Sequence, residues 1–172
     1  VNGLWTRRAT LVGGVSAAAV TASGLRAADL DRGEIGVVAS VIDGDTLALQ
    51  SGLRVKLAAI TAPARAEAFG REAHEGLAGL LRGRQVQLSY GGDRRDRYDR
   101  ALAHVHTLTA AGERDLWVQD ELIRLGLARV YTWPDEIVDF KSLYRTENES
   151  RQRGRGLWAN PAYHVRRPDP DP

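Results

Sequence analysis

An α+β domain built mainly from strands is the fold class this sequence predicts: a five-stranded Greek-key barrel of the OB type carrying three helices. Three observations predict it. Short β-branched or alternating runs are separated by Asp-Gly and Ser-Gly turns, one amphipathic helical stretch follows the third run, and two more helical stretches come late in the chain. The resulting order, β-β-β-α-β-β-α-α, suits such a barrel, although periodicity alone leaves other α+β arrangements open. At 172 residues the chain suits one domain with its own core.

Each element has its own justification. Gly36 to Val41 is rich in β-branched residues and runs into Asp43-Gly44, a two-residue turn signal. Thr46 to Leu49 alternates toward a second turn at Gln50-Ser51-Gly52. Leu53, Val55 and Leu57 then share one strand face, with Arg54 and Lys56 on the other. Glu67 to Leu81 is predicted helical, because Phe69, Ala73, Leu77, Leu80 and Leu81 recur at spacings of three and four, and Gly83 follows as a cap. Gln85 to Tyr90 and Ala101 to Leu108 return to strand, linked by the charged stretch Asp93 to Arg100. Helices over Val118 to Leu125 and about Ile137 to Arg153 stop at Gly126 and Gly154. Alternate prolines near the end of Arg166 to Pro172 exclude a helix or central strand there, so that tail is expected to be disordered.

Composition narrows the function classes. Lysine and arginine number 24 against 22 acids, a formal net charge of +2. Residues 1–28 contribute Arg7, Arg8 and Arg26 and no acid, so the remainder is close to neutral. Any phosphate-binding surface must therefore be a local patch and not a global field. The absence of cysteine excludes a disulfide framework or a cysteine-based zinc site. Thr6-Arg7-Arg8 precedes an uncharged Ala/Gly/Val-rich run, Leu11 to Leu25, shorter than the ~20 residues a spanning helix needs. With small residues at Ala27-Ala28, residues 1–28 resemble a twin-arginine export signal. The mature form is then expected to be a monomer outside the membrane, periplasmic or secreted, with its domain over residues 34–160 and a Pro-rich tail over residues 161–172.

Seven short motifs carry a more specific resemblance. In order they are Val41-Ile42-Asp43-Gly44-Asp45-Thr46-Leu47, Val55-Lys56-Leu57, Ile60-Thr61-Ala62-Pro63 and Gly70-Arg71-Glu72-Ala73. Asp96-Arg97-Tyr98-Asp99-Arg100-Ala101-Leu102-Ala103, Leu122-Ile123-Arg124-Leu125-Gly126-Leu127-Ala128 and Gly156-Leu157-Trp158 complete them. Each is weak alone. Together, in this order and on these elements, they make residues 36–160 resemble staphylococcal nuclease and its relatives. Gln119, Val130-Tyr131 and the segment from Pro161 to Arg166 look like a bacterial subgroup of that family.

The resemblance implies calcium-assisted hydrolysis of DNA or RNA phosphodiesters. A hard cation held by oxygens neutralises phosphate charge, arginines bind the phosphoryl group, and a glutamate positions the attacking water. Position by position it is uneven. It implies metal roles for Asp45, the neighbouring Asp43, and the backbone carbonyl of Ala62, and a phosphate role for Arg100. Lys56 stands where a second phosphate-binding arginine belongs, keeping the charge but losing the planar fork, with Arg54 beside it. Thr61 replaces a metal-binding aspartate, and Ala64 replaces the water-positioning glutamate. Glu67, three residues on, is the carboxylate available to stand in for it if the loop folds back.

Plainer readings stand beside these. Asp-Gly-Asp-Thr is good turn chemistry without a metal, Asp93 to Arg100 reads as a mixed-sign solvated loop, and Glu67 suits the first turn of a helix. His104 and His106 read as surface histidines on one strand face, Trp117 and Trp158 as packing residues, and Trp133 as a loop aromatic able to stack on a base. The expected function is nucleic-acid phosphate binding with possible calcium-dependent hydrolysis. The alternative is a non-catalytic OB module for single-stranded nucleic acid or another anionic or protein partner.

Overall fold

The computed structural model describes residues 30–132 and 140–164. The export-like segment, Trp133 and the final prolines lie outside them. The elements run β1 (Asp31–Asp43), β2 (Thr46–Leu49), β3 (Arg54–Leu57), β4 (Ile60–Thr61), α1 (Gly70–Leu81), β5 (Gln85–Tyr90) and β6 (Ala101–Leu108). They continue with β7 (Arg114–Trp117), α2 (Val118–Arg124), β8 (Arg129–Val130) and α3 (Phe140–Gln152), then two 3-10 turns, Gly156–Ala159 and Pro161–Tyr163.

The barrel is the expected one. Sheet order is β3-β2-β1-β5-β6-β7, and a parallel pairing of β3 with β6 closes five of these strands on themselves. Strand β1 serves both halves of the barrel. Asp31 to Val37 pair with β5, Val38 to Asp43 pair with β2, and register shifts between Arg32 and Ile35, Val38 and Ser40, and Val41 and Asp43 accompany the bend this requires. Inside lie Leu47, Val55, Leu57, Val86, Leu88, Ala101, Ala103 and Val105, all fully buried. Helix α1 presents Ala73, Leu77 and Leu81 to this core, the stripe its spacing predicts, and α2 adds Leu122 and Ile123.

Several local expectations are corrected. Helix α1 begins at Gly70, not Glu67, because Phe69 adopts φ +64°, which breaks the helical path. The 3-10 turn Pro161–Tyr163 packs beside α1: the Tyr163 hydroxyl donates to the Ala68 carbonyl at 2.8 Å, and its ring meets Phe69 edge-on. His104 and His106 are buried, not surface residues, because β7 covers that face and Trp117 packs against both rings, at 5.7 and 6.3 Å. Strands β4 and β8, of two residues each, are too short for alternation to reveal, and β7 (Arg-Asp-Leu-Trp) does not alternate. Trp158 caps the core as expected, with Arg151 stacked over its ring at 4.4 Å.

The last two motifs lock together. Gly126 and Gly156 both have positive φ, and a Cβ on Gly126 would fall 2.2 Å from the Arg155 carbonyl oxygen. Leu157 N–H donates to the Gly126 carbonyl at 2.8 Å. Only glycine permits this backbone crossing, which seats Leu157 and Trp158 in the core.

Candidate functional site

The β1–β2 turn sets the first carboxylate. Asp43 lies opposite Thr46, which leaves Gly44 and Asp45 as the turn. Gly44 is required by close approach: a Cβ there would fall 2.6 Å from the Ala73 Cβ and 2.8 Å from the Ala62 Cβ. The turn is thereby clamped between α1 and the segment after β4. Asp45 is 5% exposed, and both of its carboxylate oxygens have partners. Oδ2 accepts from the Ala62 N–H at 2.8 Å and meets Lys56 Nζ at 2.6 Å, while Oδ1 accepts from the Thr46 hydroxyl at 3.1 Å.

The cations come from β3 and the approach to β6. Val55 and Leu57 point into the barrel, so Arg54 and Lys56 fall on its outer face. Lys56 lies opposite Thr46 on one side and Leu102 on the other. Val55 lies opposite Ala101, which puts Arg54 beside Arg100 in register. Among the described residues Arg54 has no acid within ion-pair distance and is exposed.

Arg100 is held by a residue the sequence reading did not single out. Asp96 Oδ2 accepts from Arg100 Nε at 2.7 Å and lies 2.6 Å from Nη2. Its Oδ1 accepts the backbone N–H of Tyr98 at 2.9 Å and of Arg100 at 3.0 Å. Burial alone would raise the Asp96 pKa, but the hydrogen bonds from Arg100 and from these two amides outweigh it and hold the carboxyl below its ordinary value. The charged stretch is therefore an ordered loop around one carboxylate, with Asp99 at φ +60°, and not a merely solvated run. Asp96 grips one edge of the guanidinium, leaving the Nη1–Nη2 edge for a second anion. Tyr98 is 62% exposed beside it, with the Arg97 and Arg100 guanidinium groups 4.9 and 5.2 Å from its ring.

The segment after β4 completes the site. Thr61 pairs with Arg129, and Ile60 with Val130. Glu147 of α3 steadies β8 by accepting the Val130 N–H at 2.9 Å. The loop does fold back on itself: Glu67 N–H donates to the Ala64 carbonyl at 2.8 Å, and Glu67 Oε2 accepts the Ala64 N–H at 3.0 Å. One oxygen of its carboxylate, Oε2, is thus tied to the loop backbone. Gln119 supports the whole edge from within. Its Oε1 accepts the Val105 N–H at 3.1 Å, and its Nε2 donates to the carbonyls of Ala103 at 3.0 Å and Ala58 at 3.3 Å.

The structure therefore brings Asp45, Lys56 and Ala62 into contact and sets Arg54 beside Arg100. Ala62 reaches Asp45 through its N–H, a donor, whereas a metal role would call on its carbonyl. Among the described residues no group of three or more histidine, aspartate or glutamate side chains is placed to hold a metal ion.

Comparison with known proteins places this arrangement. The family model described as staphylococcal nuclease homologue matches residues 54–160. The chain belongs to the staphylococcal nuclease family. An Escherichia coli member named as an uncharacterized endonuclease is 31% identical over 128 residues, covering 73% of this chain and 77% of its own. A Shigella flexneri member named micrococcal nuclease is 32% identical over 132 residues, covering 73% of this chain and 74% of its own. The staphylococcal nuclease match takes in β3, the loop after β4, the Asp96–Arg100 loop and the Gly126–Gly156 crossing. Of the residues that reading missed, Asp96 had a usable signal: an aspartate shortly before a turn, followed by Arg100.

Proposed function

We propose that this staphylococcal nuclease family member grips the phosphodiester backbone of nucleic acid through Arg54, Lys56 and Arg100, with hydrolysis by the family route largely lost. One observation carries the reading. The three cations sit together on the outer face where β3 meets β6, Lys56 and Arg100 each steadied by a carboxylate, Asp45 and Asp96. Two anchored cations and one that has no acid partner among the described residues suit a line of phosphates, and the exposed Tyr98 ring offers a surface for a neighbouring base.

The hydrolytic half is weak for stated reasons. Ala64 carries no group that could position water, and Thr61 brings no charge. Losing one preorganised electrostatic group costs about 100- to 1000-fold, so two such losses predict a rate lower by roughly 10⁴-fold or more. A second reading, a slow hydrolase with Glu67 as base, is favoured by the Glu67–Ala64 hydrogen bond, which holds a carboxylate beside the position of the missing one.

The test mixes the full chain with labelled single-stranded DNA and RNA, with calcium and with chelator, and follows both retention and cleavage. Retention without cleavage, weakened by Lys56→Ala and by Arg100→Ala, is expected. No retention in any buffer would overturn the reading. Cleavage that Glu67→Gln abolishes would establish the slow hydrolase instead.

A further inference from the structure

We propose that the Lys56 ammonium is the resident cation of this site: it takes the place beside Asp45 where a divalent ion would sit, so the chain engages phosphate without one. The donor set at Asp45 supports this. Lys56 Nζ is 2.6 Å from Oδ2, the length of a calcium–oxygen bond, so ammonium and calcium cannot share that oxygen's open side. Two more donors reach the carboxylate: the Ala62 N–H on the same Oδ2, and the Thr46 hydroxyl on Oδ1. A calcium ion needs six to eight oxygens, several of them charged. Of the other residues with an expected metal role, Thr61 brings no charge, Ala62 turns its N–H toward Asp45, and Asp43 adds one carboxylate; among the described residues no three acidic or histidine side chains cluster to hold a metal ion.

Charge balance points the same way. Asp45 is almost wholly excluded from water, and buried carboxylates are stable when paired and hydrogen-bonded. Lys56 already neutralises it, its own side chain only 18% exposed. A divalent ion brought to the same oxygen would meet an ammonium within bonding range, and like charges that close repel strongly in a poorly solvated site. The Ala62 N–H adds a positive dipole on the same oxygen. The residues present do not fit calcium. They fit one monovalent cation supplied by the chain itself.

This inference deepens the phosphate-binding reading and rests on it for its second half only. The test titrates calcium into the full chain without nucleic acid, by calorimetry. Wild type should give no saturable binding up to about 10 mM, above the ~1 mM limit of weak calcium modules. Thr61→Asp, which restores a carboxylate but keeps the ammonium, should bind at least ~10-fold more weakly than Lys56→Met/Thr61→Asp, which removes the ammonium as well. Equal calcium affinity in those two variants would overturn the proposal. So would wild-type binding tighter than about 1 mM that Asp45→Asn abolishes, a measurement that stands even if the double variant fails to fold. Oligonucleotide binding by wild type should agree within about two-fold between chelator and calcium, since Lys56 and the arginines carry the contacts. Binding that appears only with calcium would refute the cation assignment. Binding absent in both buffers would refute the phosphate reading and leave the calorimetry to decide the cation.

Discussion

Replacing Gln119 with leucine, a side chain of similar volume, should unseat the edge of the barrel that carries the site. The β3–β6 pairing ends at Leu57 opposite Ala103, and the Gln119 amide then links Ala58 to Val105. It accepts from Val105 and donates to Ala103 and Ala58, and the side chain is fully buried. Leucine would fill the space but leave the Val105 amide without this acceptor and the Ala58 carbonyl without this donor. The Ala103 carbonyl keeps its bond from the Ala58 N–H at 3.0 Å. Each buried orphan costs about 1–3 kcal/mol, so the two together should cost roughly 2–6 kcal/mol. For a domain of this size that is a fall in Tm of about 10 °C. Urea denaturation of wild type and Gln119→Leu, with matched m-values, measures it. A stability change below about 0.5 kcal/mol would refute the argument, because it would mean that neither group depends on the amide.

Other outcomes follow from the same contacts. Burial, reinforced by the charge of Arg114 and by His104, lowers the His106 pKa to about 4 from 6.5. The unfolded chain therefore binds this proton first, so its contribution is complete above about pH 6.5 and declines as pH falls toward 4, by ~1.4 kcal/mol per unit. Urea midpoints at a series of pH values should show that slope reduced by about one proton in His106→Phe, and an unchanged slope would count against it. Asp96→Ala removes a carboxylate accepting from two amides and Arg100; it should cost roughly 2–4 kcal/mol at neutral pH, seen as a lower urea midpoint, and progressively less as pH falls below about 4, where the unfolded carboxyl takes up its proton before the native one, whose pKa is lowered. Gly126→Ala must place a Cβ 2.2 Å from a backbone oxygen at φ +72° and should destabilise by more than about 2 kcal/mol, seen as a lower thermal midpoint.

How much of this was legible in the sequence depends on the scale of the signal. The barrel strands and α1 were legible because their apolar residues repeat over several turns or pleats. Val55 and Leu57 against Arg54 and Lys56 is such a case, and it also placed the cations correctly. Two-residue strands such as β4 and β8 carry no period at all; they exist because Glu147 and the core hold the backbones together. His104 and His106 were misread because alternation reports which face a residue occupies, not whether another strand covers that face. At the site, residue types suggested which groups to look for, but not where they point. That Lys56 turns onto Asp45, and that Asp96 holds Arg100, are three-dimensional facts without a local pattern.

The most direct test of the central claim is the salt dependence of single-stranded DNA binding, measured by anisotropy with the full chain in chelator. About three phosphate contacts, from Arg54, Lys56 and Arg100, give an expected slope of log K against log salt near −2. Arg100→Ala should bring it to about −1.4, and added calcium should leave both slopes where they are. A slope near zero, or one that becomes salt-sensitive only when calcium is supplied, would contradict the account.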